Sequence, residues 1–444
     1  MDSTLITNAR IVTDGRQFEG DVLIEGDRIS AIGGDLSART ADRVIDAAGR
    51  LLIPGMIDDQ VHFREPGMPD KGDIATDSAA AVAGGITSFM DMPNTRPNTL
   101  TQEILEDKYA LAAGRAHANY AFYLGASNDN LEDIKRLEPG RACGIKVFMG
   151  ASTGNMLVDN PDTLDGIFAH APTMVVTHCE DTPTILANEQ AWRERYGEDV
   201  PFAAHGQIRS VEACYKSSSL AVELARKHGT RLHILHLSTG RELELFSTQP
   251  LAEKQITAEA CVHFLWFSDE DYAEKGALIK CNPAIKTAAD RAAILQGLKD
   301  GRLDVIGTDH APHTWAEKQN SYFKAPSGLP LVQHALPVLL ELHRRGDLDL
   351  ELIVEKTSHA VAERFRIEER GYIREGYYAD LALIDLEKPW TVERDNVLYK
   401  CGWSPFEGTT FHATIDMTWV NGRLAWADGR LQPGTHGQRL KFSA

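Results

Sequence analysis

Across residues 53–366 the chain repeats one pattern: a short apolar run of strand type, an ionisable residue at or near its end, then a stretch of helical character. The clearest runs are Thr87-Ser88-Phe89-Met90, Gly144-Ile145-Lys146-Val147-Phe148-Met149 and Thr173-Met174-Val175-Val176-Thr177. Two more are Arg231-Leu232-His233-Ile234-Leu235-His236-Leu237 and Leu303-Asp304-Val305-Ile306-Gly307. Among the helices between them, the segment from Ser210 to His228 stops at Gly229, where a left-handed residue ends a helix at no steric cost. Strands alternating with helices need crossover connections and so predict a parallel sheet, most economically a (β/α)8 barrel with insertions.

The two ends read differently. Leu5 to Val12 precedes a turn at Asp14-Gly15, and Asp21-Val22-Leu23-Ile24 meets Arg28 to Ile32 across Glu25-Gly26-Asp27. Near the other end Ala379 to Asp385 is an alternating apolar run, and Met417-Thr418-Trp419-Val420 faces Arg423-Leu424-Ala425-Trp426 across Asn421-Gly422, a strong hairpin dipeptide. The expected architecture is α/β: a TIM barrel over 53–366 and a small β-sandwich assembled from 1–52 and 367–444.

Charge and cysteine content narrow the function classes. Lys plus Arg number 46 against 64 Asp plus Glu, a net charge of −18, which disfavours nucleic acid and anionic membranes as partners. No apolar run reaches the ~18 residues a bilayer span needs. The opening MDSTLITNARIVTDG lacks the basic start and apolar stretch of a signal peptide. Cys143, Cys179, Cys214, Cys261, Cys281 and Cys401 are scattered and form no CxxC, as expected of reduced thiols in a cytoplasmic protein. A cytosolic enzyme or a large binding protein remains.

In such a barrel chemistry sits at the C-terminal strand ends. His62, Lys146, His178, His236 and Asp309 occupy five of them. Singly, a histidine there is ordinary, and Asp309 could cap a helix at Ala311-Pro312. The two histidines of LHILH stand three apart and should face opposite sides of a strand, with His236 nearer the rim. Lys146, between Ile145 and Val147, should be buried, and an unpaired buried ammonium costs several kcal/mol. It needs a carboxylate partner, a chemical modification or a use for its charge. Together the set reads as a metal site, and imidazoles with a carboxylate suit zinc. A second group, Arg64, Asn94 and His313, offers a guanidinium, an amide and an imidazole on one rim, which suits a bound carboxylate.

With these residues, the chain resembles the amidohydrolase superfamily and, within it, the dihydroorotases, along essentially its whole length. The resemblance rests on Leu52-Ile53-Pro54-Gly55-Met56-Ile57-Asp58, Val61-His62-Phe63-Arg64-Glu65-Pro66-Gly67, Lys71-Gly72-Asp73-Ile74 and Ala83-Gly84-Gly85-Ile86-Thr87. It continues through Asp91-Met92-Pro93-Asn94-Thr95, Thr177-His178-Cys179-Glu180-Asp181 and Gly307-Thr308-Asp309-His310-Ala311-Pro312-His313. It implies one or two zinc ions bridged by Lys146 carboxylated with CO2, one held by His178 and His236, the other by His62 and Asp309. Asp309 is then also the general acid/base, taking a proton from the attacking water and passing it to the leaving ring nitrogen. Arg64, Asn94 and His313 would hold the substrate carboxylate, with Asn282, Ser327 and Gly328 contacting the ring. In reverse this closes carbamoyl aspartate to dihydroorotate, a step of pyrimidine synthesis. The resemblance also implies a homodimer.

One position departs. The family carries His-x-His at the first strand end, but here Asp58-Asp59-Gln60-Val61-His62 puts glutamine first, and its carbonyl is a weaker zinc donor than imidazole. Three outcomes follow: a two-metal enzyme using Gln60, a one-metal enzyme, or a catalytically impaired relative. Lys286, where many relatives carry Arg, is a milder difference. The alternatives are an allantoinase or hydantoinase, or a non-catalytic homologue serving as a structural partner, for instance of aspartate carbamoyltransferase.

Overall fold

The computed structural model describes residues 3–150 and 156–443. The chain opens with β1 (Ser3–Thr13), β2 (Arg16–Glu25), β3 (Arg28–Gly33), β4 (Arg43–Asp46) and β5 (Leu51–Pro54). β1, β2 and β3 pair antiparallel in succession, while β4 and β5 lie parallel to β1.

Nine strands follow through the middle. They are β6 (Met56–Val61), β7 (Ile86–Asp91), β8 (Asn119–Phe122), β9 (Leu124–Gly125), β10 (Ile145–Phe148), β11 (Val175–His178), β12 (Leu232–Ile234), β13 (Ile256–Cys261) and β14 (Val305–Gly307). All their pairings are parallel and in chain order, β6 to β8 in one sheet and β9 to β14 in another. Only Tyr123 separates β8 from β9. Beyond β14, His310 bridges in parallel to Val61 and its carbonyl accepts the His62 N–H at 2.7 Å, returning to β6.

The stretch Ile53 to Val61 is divided at Gly55: β5 pairs with the terminal sheet through Pro54, and β6 enters the parallel set. A Cβ on Gly55 would lie 2.2 Å from Thr87 Cγ2, so only glycine lets the chain pass β7 at this crossing.

The chain closes with β15 (Leu381–Asp385), β16 (Trp390–Thr391), β17 (Thr410–Phe411), β18 (Thr414–Val420), β19 (Arg423–Ala427) and β20 (Arg430–Leu431). Apart from the small β16–β17 pair, these join the N-terminal strands in one nine-stranded sheet, ordered β20-β19-β18-β15-β5-β1-β2-β3 with β4 beside β1. Leu52 opposite Leu383 marks the join. The β18–β19 turn takes positive φ at both Asn421 (51°) and Gly422 (72°), the hairpin geometry that Asn-Gly favours. Residues 435–443 leave this sheet and run beside β8, with the Gly437 N–H on the Ala116 carbonyl at 2.8 Å and the Leu440 N–H on Tyr120 at 2.9 Å.

The helix Val211–His228 matches its sequence reading: the Ser210 hydroxyl accepts from the Ala213 N–H at 3.3 Å, and Gly229 ends it at φ 72°. Among the described residues no helix is long and apolar enough to cross a membrane, and all six cysteines are free.

Burial also sets an acid limit on stability. His334 is fully buried, its Nδ1 2.9 Å from Tyr399 Oη and 3.1 Å from Ser404 Oγ, and burial pushes its pKa down to about 3. His263 is pushed down to about 4 for the same reason. Below its usual value near 6.5 the unfolded chain takes up these protons while the folded chain does not. Stability therefore falls as pH drops through that value, and Tm should decline between pH 7 and pH 5, above the range where carboxylates titrate. A flat Tm across that window would refute the assignment.

Candidate active site

The residues expected at the strand ends converge in two groups. In the first, His62 follows β6 and its Nδ1 lies 2.9 Å from Asn94 Oδ1, an atom that can only accept, so Nδ1 carries the proton. Its Nε2 faces Asp309 Oδ1 at 3.2 Å. Gln60 Nε2 donates to the same Oδ1 at 3.0 Å, while Gln60 Oε1 is buried and accepts nothing. Asp309 holds a φ of 53°, a conformation unusual for aspartate, and is not a helix cap. Burial would raise its carboxyl, but His62 and the neighbouring histidines outweigh that and hold it well below the ordinary carboxylate range. Burial also lowers His62, against the pull of the Asp309 carboxylate.

In the second group His178, ending β11, donates from Nε2 to Glu180 Oε2 at 2.9 Å. Its Nδ1 faces His236 Nε2 at 3.1 Å. Two imidazole nitrogens sharing a tetrahedral zinc at 2.0–2.1 Å lie about 3.3 Å apart, so this spacing fits a common ion. Glu180 is fully buried and also paired with Arg209; burial favours its acid form, but Arg209 and His178 prevail and keep it ionised. A carboxylate behind the far nitrogen of a ligating histidine fixes its tautomer and ring orientation. Lys286 stands nearby, its ammonium on the Ala284 carbonyl at 2.9 Å and Ser238 Oγ at 3.3 Å, and adds to the field that keeps Glu180 charged.

Lys146 lies on β10 at 1% exposure, with Nζ over the Phe148 ring at 4.7 Å from the centroid. Among the described residues no carboxylate pairs with it, which removes the first of the three explanations for its burial. Desolvation pushes its pKa down to about 8.

The expected carboxylate clamp forms only in part. Arg64, at φ 66°, donates from Nε to the Pro312 carbonyl at 3.0 Å and brings Nη2 to 3.1 Å from His313 Nε2. His313 Nε2 also meets the Ser327 carbonyl at 3.1 Å, and its Nδ1 faces Lys71 Nζ at 3.2 Å. Burial pushes His313 down to about 3, so it is a neutral donor. A Cβ on Gly328 would sit 2.4 Å from the Ala311 carbonyl, so glycine is required there at φ 144°. Asn94 is not joined to Arg64: its carbonyl orients His62 instead. Asn282 Oδ1 is buried without a hydrogen bond.

The sequence reading missed Glu180 and Arg209, although Glu180 stands in the quoted Thr177-His178-Cys179-Glu180 run. It also missed a layer beneath the rim, where Asp59, His233 and Glu259 bring ligand atoms within 4.8 Å of one another. The alternation expected of His233 and His236 fails. β12 ends at Ile234 and His236 takes φ 44°, so His236 gives its backbone N–H to Glu259 at 2.8 Å while the His233 side chain joins the same glutamate's cluster.

The amidohydrolase family matches this chain over residues 51–425, most of its length. The chain belongs to the amidohydrolase family. Within that family a dihydroorotase of Halobacterium salinarum is 34% identical over 440 residues, covering 97% of this chain and 98% of the relative. An allantoinase of Bacillus velezensis is 30% identical over 446 residues, covering 99% and 97%. The solved structure of an L-hydantoinase (dihydropyrimidinase) from Arthrobacter aurescens superposes with a TM-score of 0.94 at 28% identity, covering 99% of this chain and 100% of that one. This amidohydrolase thus keeps the family's outline while carrying Gln60 at its first strand end.

Proposed function

We propose that this chain is a zinc-dependent dihydroorotase, interconverting N-carbamoyl-L-aspartate and L-dihydroorotate for pyrimidine synthesis. The observation that carries this reading is Arg64. It is 8% exposed and has no carboxylate partner among the described residues, which suits a substrate that brings its own. Allantoin and simple hydantoins offer that guanidinium no carboxylate.

In this reading the two parallel sheets are one closed (β/α)8 barrel over 53–366, and the terminal strands form the companion β-domain. The donor set fits the metal: His62 and Asp309 would hold one zinc, with the orphaned Gln60 Oε1 available as a further ligand, and His178 and His236 the other. Lys146, with its lowered pKa, has an amine able to attack CO2. The ammonium loses one proton to become that amine, and as the new N–C bond forms nitrogen releases a second proton to solvent, so the buried cation becomes a carbamate anion that would serve the ions as a ligand. Bound zinc would acidify a water and polarise the ring carbonyl.

The remaining steps belong to side chains. Asp309, kept ionised, accepts the proton of the water that attacks the ring carbonyl and delivers it to the ring nitrogen as the C–N bond breaks. Gln60 Nε2 and His62 aim its Oδ1 throughout. Arg64, with the neutral His313, orients the ring through its carboxylate. In the cyclisation direction Asp309 takes the proton from the carbamoyl nitrogen and returns it with the departing water. The reading carries with it a cytoplasmic homodimer.

Hydrolysis of dihydroorotate by protein supplied with zinc and bicarbonate tests it. Turnover is expected, with 5,6-dihydrouracil, the same ring without the carboxylate, a far poorer substrate. No turnover in metal-loaded protein would sink the proposal. Arg64→Met should raise KM for dihydroorotate by about 100-fold, since breaking a buried charged hydrogen-bond pair costs about 2–5 kcal/mol. Its rate on dihydrouracil should stay as in the unmodified enzyme. An unchanged KM for dihydroorotate would remove the clamp role.

A further inference from the structure

Beneath the rim, Asp59 of β6, His233 of β12 and Glu259 of β13 are all fully buried. Four of their atoms make no hydrogen bond: both Asp59 carboxylate oxygens, His233 Nε2 and Glu259 Oε2. Each side chain is nonetheless held from outside or sits in a fixed frame. Thr257 Oγ1 donates to the Leu232 carbonyl at 3.3 Å and lies 2.8 Å from His233 Nδ1. With that hydroxyl proton on the Leu232 carbonyl, His233 Nδ1 donates to Thr257 Oγ1, and a neutral ring then keeps its Nε2 lone pair. Glu259 Oε1 accepts the His236 N–H at 2.8 Å and faces Cys261 Sγ at 3.1 Å, leaving Oε2 free.

The free atoms turn toward one another. His233 Nε2 lies 3.3 Å from Asp59 Oδ2 without hydrogen-bond geometry. Gly307 supplies room: a Cβ there would fall 2.5 Å from Glu259 Oε2 and 2.9 Å from Asp59 Oδ1. We propose that Asp59, His233 and Glu259 form a divalent-cation site inside the parallel strands, separate from the rim and structural in role. Two carboxylates and one imidazole balance a charge of +2 and supply donors of the kind zinc accepts. A histidine ligand that donates its other ring N–H to a fixed oxygen is the usual arrangement around such ions. Because Glu259 also holds the His236 backbone, the ion would stiffen the strand end that carries a rim ligand. The inference does not depend on which cyclic amide is the substrate.

The rival arrangement places two protons there, an imidazolium on His233 and a carboxylic acid on Glu259, with no ion. Crystals of the unmodified chain, expressed in zinc-supplemented medium so that the ion can enter as the chain folds and grown with zinc, distinguish the two when measured at the zinc absorption edge. A peak within bonding distance of Asp59, His233 and Glu259 is expected, apart from those at the rim. Since all three side chains are shut off from solvent, washing with EDTA should leave one zinc per chain after the rim ions are gone, and none in Asp59→Asn. Rim peaks alone, or a folded, washed protein without zinc, would overturn the site in favour of the protons. The crystal measurement needs no variant, so a substitution that fails to fold does not protect the proposal.

Discussion

Asp309→Asn should lower kcat for dihydroorotate by about 1,000-fold, within the ~100- to 10,000-fold range of a positioned acid or base, and change KM only a few-fold. The substitution keeps the shape and an oxygen that Gln60 Nε2 can still reach, but removes the charge and the ability to carry a proton. Because the proposed mechanism also gives this carboxylate a zinc to hold, metal content has to be measured on the same sample. Full zinc with a lost kcat isolates the proton transfer, and loss of one ion assigns part of the effect to ligation. A kcat within tenfold of the unmodified enzyme would remove Asp309 from the mechanism.

Lys146→Met should abolish turnover while leaving the fold intact or firmer, a pairing of signs that an ordinary core lysine would not produce. Methionine has a similar length and no charge, so the metal-free variant avoids the several kcal/mol that an unpaired buried ammonium costs. Its Tm, compared with that of metal-free unmodified protein, should be equal or higher. Activity should fall at least 1,000-fold at saturating zinc, because the proposed carbamate needs the lysine amine and methionine has none. Residual activity within tenfold would mean that the lysine serves the core alone.

The parts of the fold legible in the sequence are those with local causes. Asn421-Gly422 dictates its own turn, and Ser210 and Gly229 bracket a helix whose ends need no tertiary help. β13 was not legible, because Ile256-Thr257-Ala258-Glu259-Ala260-Cys261 is strand in conformation but carries polar side chains into the interior, where an apolar pattern is the usual signal. β9 is only two residues long and is cut from β8 by Tyr123, so this pair does not announce itself. At the site, rim residues could be read from their positions after apolar runs. Asp59 could not, since a strand bulge between Asp58 and Val61 breaks the alternation that would have told which way it points. Three consecutive polar residues, Asp58-Asp59-Gln60, in an otherwise apolar strand were the available warning.

The seam between Leu52 and Leu383 also sets a timetable for synthesis. β5 emerges early and pairs with β1 on one side, but its other edge, Leu51-Leu52-Ile53, has no neighbour until β15 has been translated. At about 5–20 residues per second that wait lasts on the order of tens of seconds. Through it the nascent chain presents an apolar strand edge to whatever lies outside the ribosome, the kind of template on which foreign strands assemble. Cells making this protein at high rate should therefore lose part of it to inclusion bodies, and slower translation or a holding chaperone should recover it.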